Sequence, residues 1–157
     1  MTQSMRPELL AAFSESIWAK ARVAREVELD LRERRRLLEA ISEDIKKFTD
    51  LLPPLVSEAA HREAQRRGVD LREKAWHDQS RFDPGRTTFQ CEHVLPVGGL
   101  RELCLLAASP TAIAEILGTA RVAWILKEED RRLTSLGYRA VRPDPVAAYR
   151  EAGIKLV

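Results

Sequence analysis

Asparagine is absent from the chain, and cysteine and histidine are scarce, with two and three copies in 157 residues. Cys91 and Cys104 lie far apart with no CxxC pattern, which excludes a disulfide scaffold and a zinc knuckle and leaves buried free thiols. No apolar run reaches the roughly 18 residues a membrane span requires. The first residues also lack an apolar signal region, so the expectation is a cytoplasmic protein without a membrane partner. A dominant charge is missing too: 26 basic against 24 acidic residues leave a net +2, so nucleic-acid binding has to rest on local clusters. Two such clusters occur, Arg32–Arg36 ("RERRR") and His61–Arg67 ("HREAQRR"). With 45% apolar and 32% charged residues the chain is no disordered tail; it has the makings of a core under a highly charged surface.

Glycine and proline are missing between Pro7 and Leu52, a stretch of mostly good helix formers. Steps of seven from Leu10 give Leu10, Ile17, Ala24, Leu31, Leu38, Ile45 and Leu52, all apolar. The companion row, Phe13, Lys20, Val27, Arg34, Ile41 and Phe48, has two charged interruptions. Such heptads predict a long helix whose seam packs on another helix. At 1.5 Å per residue it would run on the order of 65 Å if continuous. It therefore needs a partner: a second copy, giving a homodimer, or the next helix folding back as a hairpin. Pro53-Pro54 ends it, and "LVSEAAHREAQRRG" predicts a shorter helix closed by Gly68.

Beyond Gly68 the texture changes. An aromatic, charged loop with an Asp83-Pro84-Gly85 turn leads into a strand, "TTFQCEHVLPV". Two helices follow, "LRELCLLAA" and "SPTAIAEILG", the second with Ser109 as N-cap, Pro110 at its first position and Gly118 at its end. "ARVAWIL" is the clearest strand, and "KEEDRRLTSLG" a short helix ending at Gly137. The fold class expected is α+β: a long N-terminal helix or helical hairpin, 1–68, then a small mixed domain, 69–157, with two or three strands.

Within the second region "EHVLPVGG" resembles the first motif of the HNH nucleases of the ββα-metal fold, and "WILKEEDRRL" is similar to the strand and helix that close it. The resemblance spans residues 88–136. It implies a metal-dependent nuclease or nuclease-like DNA-binding protein. Glu92 would hold a divalent metal (magnesium or manganese, with zinc as the other choice), and His93 would be the general base that activates water against a phosphodiester. Asp130, or Glu129 beside it, would stand where the family has its closing histidine. The family's middle asparagine has no counterpart, and the helical insertion before "ARVAWIL" is longer than the compact family pattern. His77 is a further candidate ligand. Arg81, Arg86 and Arg101 flank the motif in sequence, and with Arg34, Arg35 and Arg36 they are the candidate phosphate contacts. A restriction-endonuclease-like order, Asp78 or Asp83 followed by Glu92, is a weaker resemblance, because Val94 stands where a lysine is required and Lys127 lies on another strand.

The same residues have plainer roles. His93 and Glu92 could be hydrogen-bonded strand residues, and His77 the polar edge of an aromatic mini-core with Trp76 and Phe82. The acids opening "KEEDRRL" could serve the positive end of a helix dipole. Arg34–Arg36 could form a solvated face paired with Glu33 and Glu39. The competing expectation is therefore a non-catalytic helical protein–protein interaction module in which Glu92 and His93 are structural.

Overall fold

The computed structural model describes residues 5–157. In chain order the elements are α1 (Pro7–Glu26), α2 (Leu31–Thr49), β1 (Leu55–Val56), α3 (Glu58–Arg66), α4 (Gln79–Phe82), β2 (Phe89–His93), α5 (Val97–Leu106), α6 (Pro110–Thr119), β3 (Val122–Leu126), α7 (Lys127–Ser135) and α8 (Pro145–Glu151). This is the α+β class expected, with a helical hairpin ahead of a small mixed sheet. None of these helices is long and apolar enough to cross a membrane. The chain divides into two compact units, and not at residue 68: one is the chain up to Leu51 with Val97–Ala120, the other Leu52–Pro96 with Arg121–Val157.

The helical unit explains the heptads. The single long helix expected from them is broken at Val27–Asp30, because Asp30 caps α2 by accepting from the Glu33 amide while the Glu33 carboxylate accepts from the Asp30 amide. This capping box terminates one helix and starts the next. Leu31, although in register with the seam, is 91% exposed as a result. The centre of the seam is covered within the unit, while Val27 at the break is 51% exposed. Ile17, Ala21 and Ala24 of α1 are buried, as are Ile41, Ile45 and Phe48 of α2, Leu100 and Cys104 of α5, and Ile113 and Leu117 of α6. The partner that the heptads require is therefore α2 with the inserted pair α5 and α6, and not the segment after Pro54.

The two charged interruptions of the heptad row also find their reason. Lys20 donates to Asp44 of α2 at 2.5 Å and to Ser16 at 2.7 Å, and Arg34 donates at 2.7 Å to the Ala24 carbonyl at the open end of α1. Lys20 and Arg34 thus tie α1 to α2.

The second unit is built on a three-stranded sheet of order β1-β3-β2, with β1 parallel and β2 antiparallel to β3. β3 is central, and Val122–Ile125 are all buried. That is why its sequence reads as an uninterrupted apolar run. Strand alternation sorts the side chains to two faces. Trp124 and Leu126 of β3 join Phe89 and Cys91 of β2 in a cluster with Ala60 and Ala64 of α3. Ala123 and Ile125 face the other way, onto Leu133 of α7 and Ala148, Tyr149 and Ala152 of α8.

Two local expectations are corrected. Leu55-Val56 is a strand and not the start of a helix, and Ser57 then caps α3 by accepting from the Ala60 amide. Two residues carry no readable periodicity, which is why β1 escapes the sequence. α5 begins at Val97, ahead of the expected Leu100, and takes in Gly98 and Gly99, while Gly118 stands one residue before the end of α6 as expected. Gly68 and Gly137, by contrast, take the left-handed φ of +67° and +84° that helix termination favours.

Candidate functional site

Glu92 lies near the end of β2, opposite Ala123 in register, so its side chain leaves on the face that carries Ala123, α7 and α8. There it meets Arg142, a residue of the loop before α8 that sequence reasoning missed. The Arg142 guanidinium is almost wholly buried, its side chain 1% exposed. It donates through Nη2 to Glu92 Oε1 at 2.5 Å, through Nη1 to the His93 and Val94 carbonyls at 3.0 and 2.9 Å, and through Nε to the Tyr138 carbonyl at 2.9 Å. The pair therefore pins the end of β2 to the loop between α7 and α8. A buried cation of this kind demands a neutralising partner. Nothing in "VRPDP" marks Arg142 as one among many arginines; its partner is chosen by chain crossings far from it in sequence.

Asp130, in the first turn of α7, is the second carboxylate of this face. Burial raises the proton affinity of Glu92 most, Arg142 opposes that, and the negative charge of Asp130 raises it further. Glu92 and Asp130 are thus close enough to repel one another. Arg142 binds one oxygen of the Glu92 carboxylate, whose side chain keeps 14% of its surface open. Tyr149 of α8 completes the cluster. Its ring lies under the Arg142 guanidinium at 5.6 Å.

Glu129 has a structural role. It is buried, accepts from the Ser57 hydroxyl at 2.6 Å and from the Leu126 amide at 2.8 Å, and so joins the start of α7 to the start of α3. Asp83 is likewise consumed. It is 1% exposed and accepts from the Phe89 and Thr88 amides and from the Gln79 amide group. Burial alone would push its carboxyl up, but these hydrogen bonds outweigh it and hold the group below its ordinary value.

The other candidates disperse. His93 pairs with Val122 and has the parity of Cys91 and Phe89, so alternation sends it to the face opposite Glu92; the two do not converge on one point. His77 sits in an exposed turn, 3.8 Å from Asp78, with its side chain 63% exposed. The aromatic mini-core expected around it holds for Phe82, packed on Phe89 and Trp124, but not for Trp76, which is 50% exposed. Asp78 is on the surface beside Arg81, and Lys127 bonds Gln90.

Of the arginines, Arg81 is freely exposed and Arg86 lies over the Trp76 ring at 5.0 Å, in a left-handed conformation with φ +52°. Arg101 belongs to the helical unit and bonds Ser42. Arg34 is committed to the Ala24 carbonyl, while Arg35 and Arg36 pair with Glu39 on the solvated face.

Among the described residues no group of three or more His, Cys, Asp or Glu converges on one point. The two carboxylates that the motif names, Glu92 and Asp130, form a donor set of hard oxygens, one of which is already held by Arg142. It fits magnesium or manganese, which are commonly held by one or two protein carboxylates with water and substrate phosphate. It lacks the imidazole or thiolate that zinc favours. The chain matches no family model, no curated protein and no solved structure.

Proposed function

We propose that the sheet-containing unit is a nuclease-like module that engages a phosphodiester through a divalent cation held by Glu92 and Asp130. The observation that carries this reading is the partly buried Glu92 carboxylate on the face of the sheet that packs on α7 and α8, its proton affinity raised by burial and further by the charge of Asp130. Perturbed carboxylates of this kind concentrate at functional sites. The order of β2, the antiparallel β3 and then α7 also agrees with a ββα arrangement carrying a helical insertion. A bound magnesium or manganese ion would supply charge to stabilise the scissile phosphate. The chain's own part is to hold Glu92 in place through Arg142 and to present Asp130 from the first turn of α7. Arg81 and Arg86, on the exposed loop of the same unit, are the phosphate contacts of this reading. DNA is the substrate proposed.

A second reading is favoured by one observation. Arg142 is so fully bonded that Glu92 is explained as its counter-ion, as in a non-catalytic interaction module. Incubation of plasmid and single-stranded DNA with magnesium, manganese or chelator, beside Asp130→Asn and His93→Ala proteins, separates the two. Metal-dependent nicking lost in Asp130→Asn supports the nuclease reading, and loss in His93→Ala as well would restore a base role to that side chain. Absence of cleavage by the unaltered protein with both metals moves the choice to the interaction module.

A further inference from the structure

The segment between α3 and β2 is anchored at some residues and left open at others. Trp124 Nε1 donates to the Lys74 carbonyl at 3.0 Å, the buried Gln79 amide group donates to the Phe89 carbonyl at 2.7 Å, and Phe82 packs on Phe89 and Trp124. Buried Asp83 accepts from the Phe89 amide at 3.0 Å. The residues between these anchors are therefore held in place without being covered. Trp76 is 50% exposed and the Arg81 side chain 84%.

Two observations set Trp76 and Arg86 apart from an ordinary solvated loop. Arg86 adopts a left-handed φ of +52°, directly after Gly85 at +73°. That conformation is unfavourable for a residue with a Cβ, and residues held in it cluster at functional sites. The Arg86 guanidinium then lies over the Trp76 ring, 5.0 Å from its centroid. The stack stands outside the core, since the aromatic that this segment sends into the core is Phe82.

A half-exposed indole with a guanidinium fixed over it presents a flat apolar ring beside positive charge. The ligand that fits such a surface repeats a flat ring and an anion. Single-stranded nucleic acid has both, and proteins hold it by stacking bases on aromatic side chains beside cations that track the backbone. A duplex keeps its base faces stacked within the helix and offers this surface only its phosphates.

We propose that Trp76 and Arg86 form a stacking platform for an unpaired base of a single-stranded nucleic acid. The base lies against the open part of the Trp76 ring, and the N–H edge of Arg86, fixed over that ring, donates with Arg81 to the adjoining phosphate. The inference rests on the nucleic-acid part of the reading above, from which it takes the two arginines, and is independent of the divalent cation. It adds Trp76 and a preference for single strands over duplex.

The test measures binding of the full chain to a fluorescein-labelled oligothymidylate, to its duplex and to an oligouridylate of equal length, by anisotropy at low salt in chelator. No cleavage or divalent cation enters the measurement. Both single strands are expected to bind more tightly than the duplex, and the tighter of the two identifies the source as DNA or RNA. Trp76→Ala should weaken single-strand binding by about 5–150-fold, the loss of one base stack, with its salt dependence unchanged. Arg86→Gly should weaken it and lower the salt slope, while its melting temperature is equal to or above that of the unaltered protein because glycine relieves the left-handed strain. A merely structural stack would do the reverse: a lower melting temperature with binding unchanged.

Unchanged single-strand affinity in Trp76→Ala, or duplex bound as tightly as single strand, overturns the platform and leaves the two arginines as phosphate contacts. Absence of binding to any strand overturns the platform and the nucleic-acid role of those arginines together. Single-strand binding lost in Trp76→Ala, by a protein that cleaves DNA with neither metal, overturns the nuclease reading and leaves the platform standing.

Discussion

The two units bury polar groups in different ways. In the helical unit the buried polar side chains are Ser14 and Thr49, and each donates back to a carbonyl of its own helix, Leu10 and Lys46. Of its charges, the pair Lys20 and Asp44 remains 28% and 18% exposed. In the sheet unit Asp83, Glu129 and Arg142 are buried outright; Glu129 and Arg142 join elements distant in the chain, and Asp83 ties the loop before β2 to the start of that strand. A seam of helices can be specified by apolar shape alone, whereas this small sheet, with a two-residue edge strand, is held in register by buried ions. Arg142 and Asp83 are satisfied many times over, while the buried Tyr149 hydroxyl has no hydrogen-bond partner.

Removal of Glu92 should expose the contrast most sharply. Glu92→Ala leaves Arg142 buried without its counter-charge and should cost about 3–5 kcal/mol in chemical denaturation. In the helical unit Ile45→Ala, at a fully buried seam position, should cost about 2–5 kcal/mol through a cavity. If Glu92→Ala costs under 1 kcal/mol, the buried ion pair is not what holds the sheet unit, and the comparison fails.

The response to pH should separate the two carboxylates of the sheet unit. Asp83 has a lowered pKa, so its contribution is present above its ordinary value of about 3.8 and is lost as the pH falls through its folded value. Glu92 has a raised pKa, so its contribution is full below about 4.5 and is lost as the pH rises through its folded value. Asp83→Asn should therefore flatten the acid limb of a stability–pH curve, and an unchanged acid limb would assign that limb to other groups.

Smaller effects follow. Ser57→Ala removes the cap of α3 and a donor to buried Glu129, for a loss of about 1–2 kcal/mol in thermal unfolding. Lys20→Met, at the rim of the helical unit, should cost less than about 1 kcal/mol, as half-exposed ion pairs do. A larger loss there would show that the hairpin also depends on charge.

Much of the fold was legible because its signals are local. Ser109-Pro110 starts α6, "VAWIL" is β3, and the heptad residues Ile17, Ala24, Ile41, Ile45 and Phe48 lie in the core of the helical unit. The break at Asp30 was legible too, as Asp30 and Glu33 in capping-box spacing, but the unbroken heptads masked it. Glu92 and Asp130 could be named as a pair from the motif. Arg142 and Tyr149 could not, since neither has a pattern around it.

Composition, period and caps, read from the sequence alone, determined the class of the protein, most of its helices and two of its three strands, because each depends on residues within a turn or two of one another. Tertiary structure alone decided that α5 and α6 cover the heptad seam, that Glu92 and His93 part to opposite faces, and that Arg142, Asp130 and Tyr149 gather about Glu92. The reason is physical. A carboxylate's partner is set by which segments the chain brings together when it buries its apolar surface, and no local spacing in the sequence encodes that meeting.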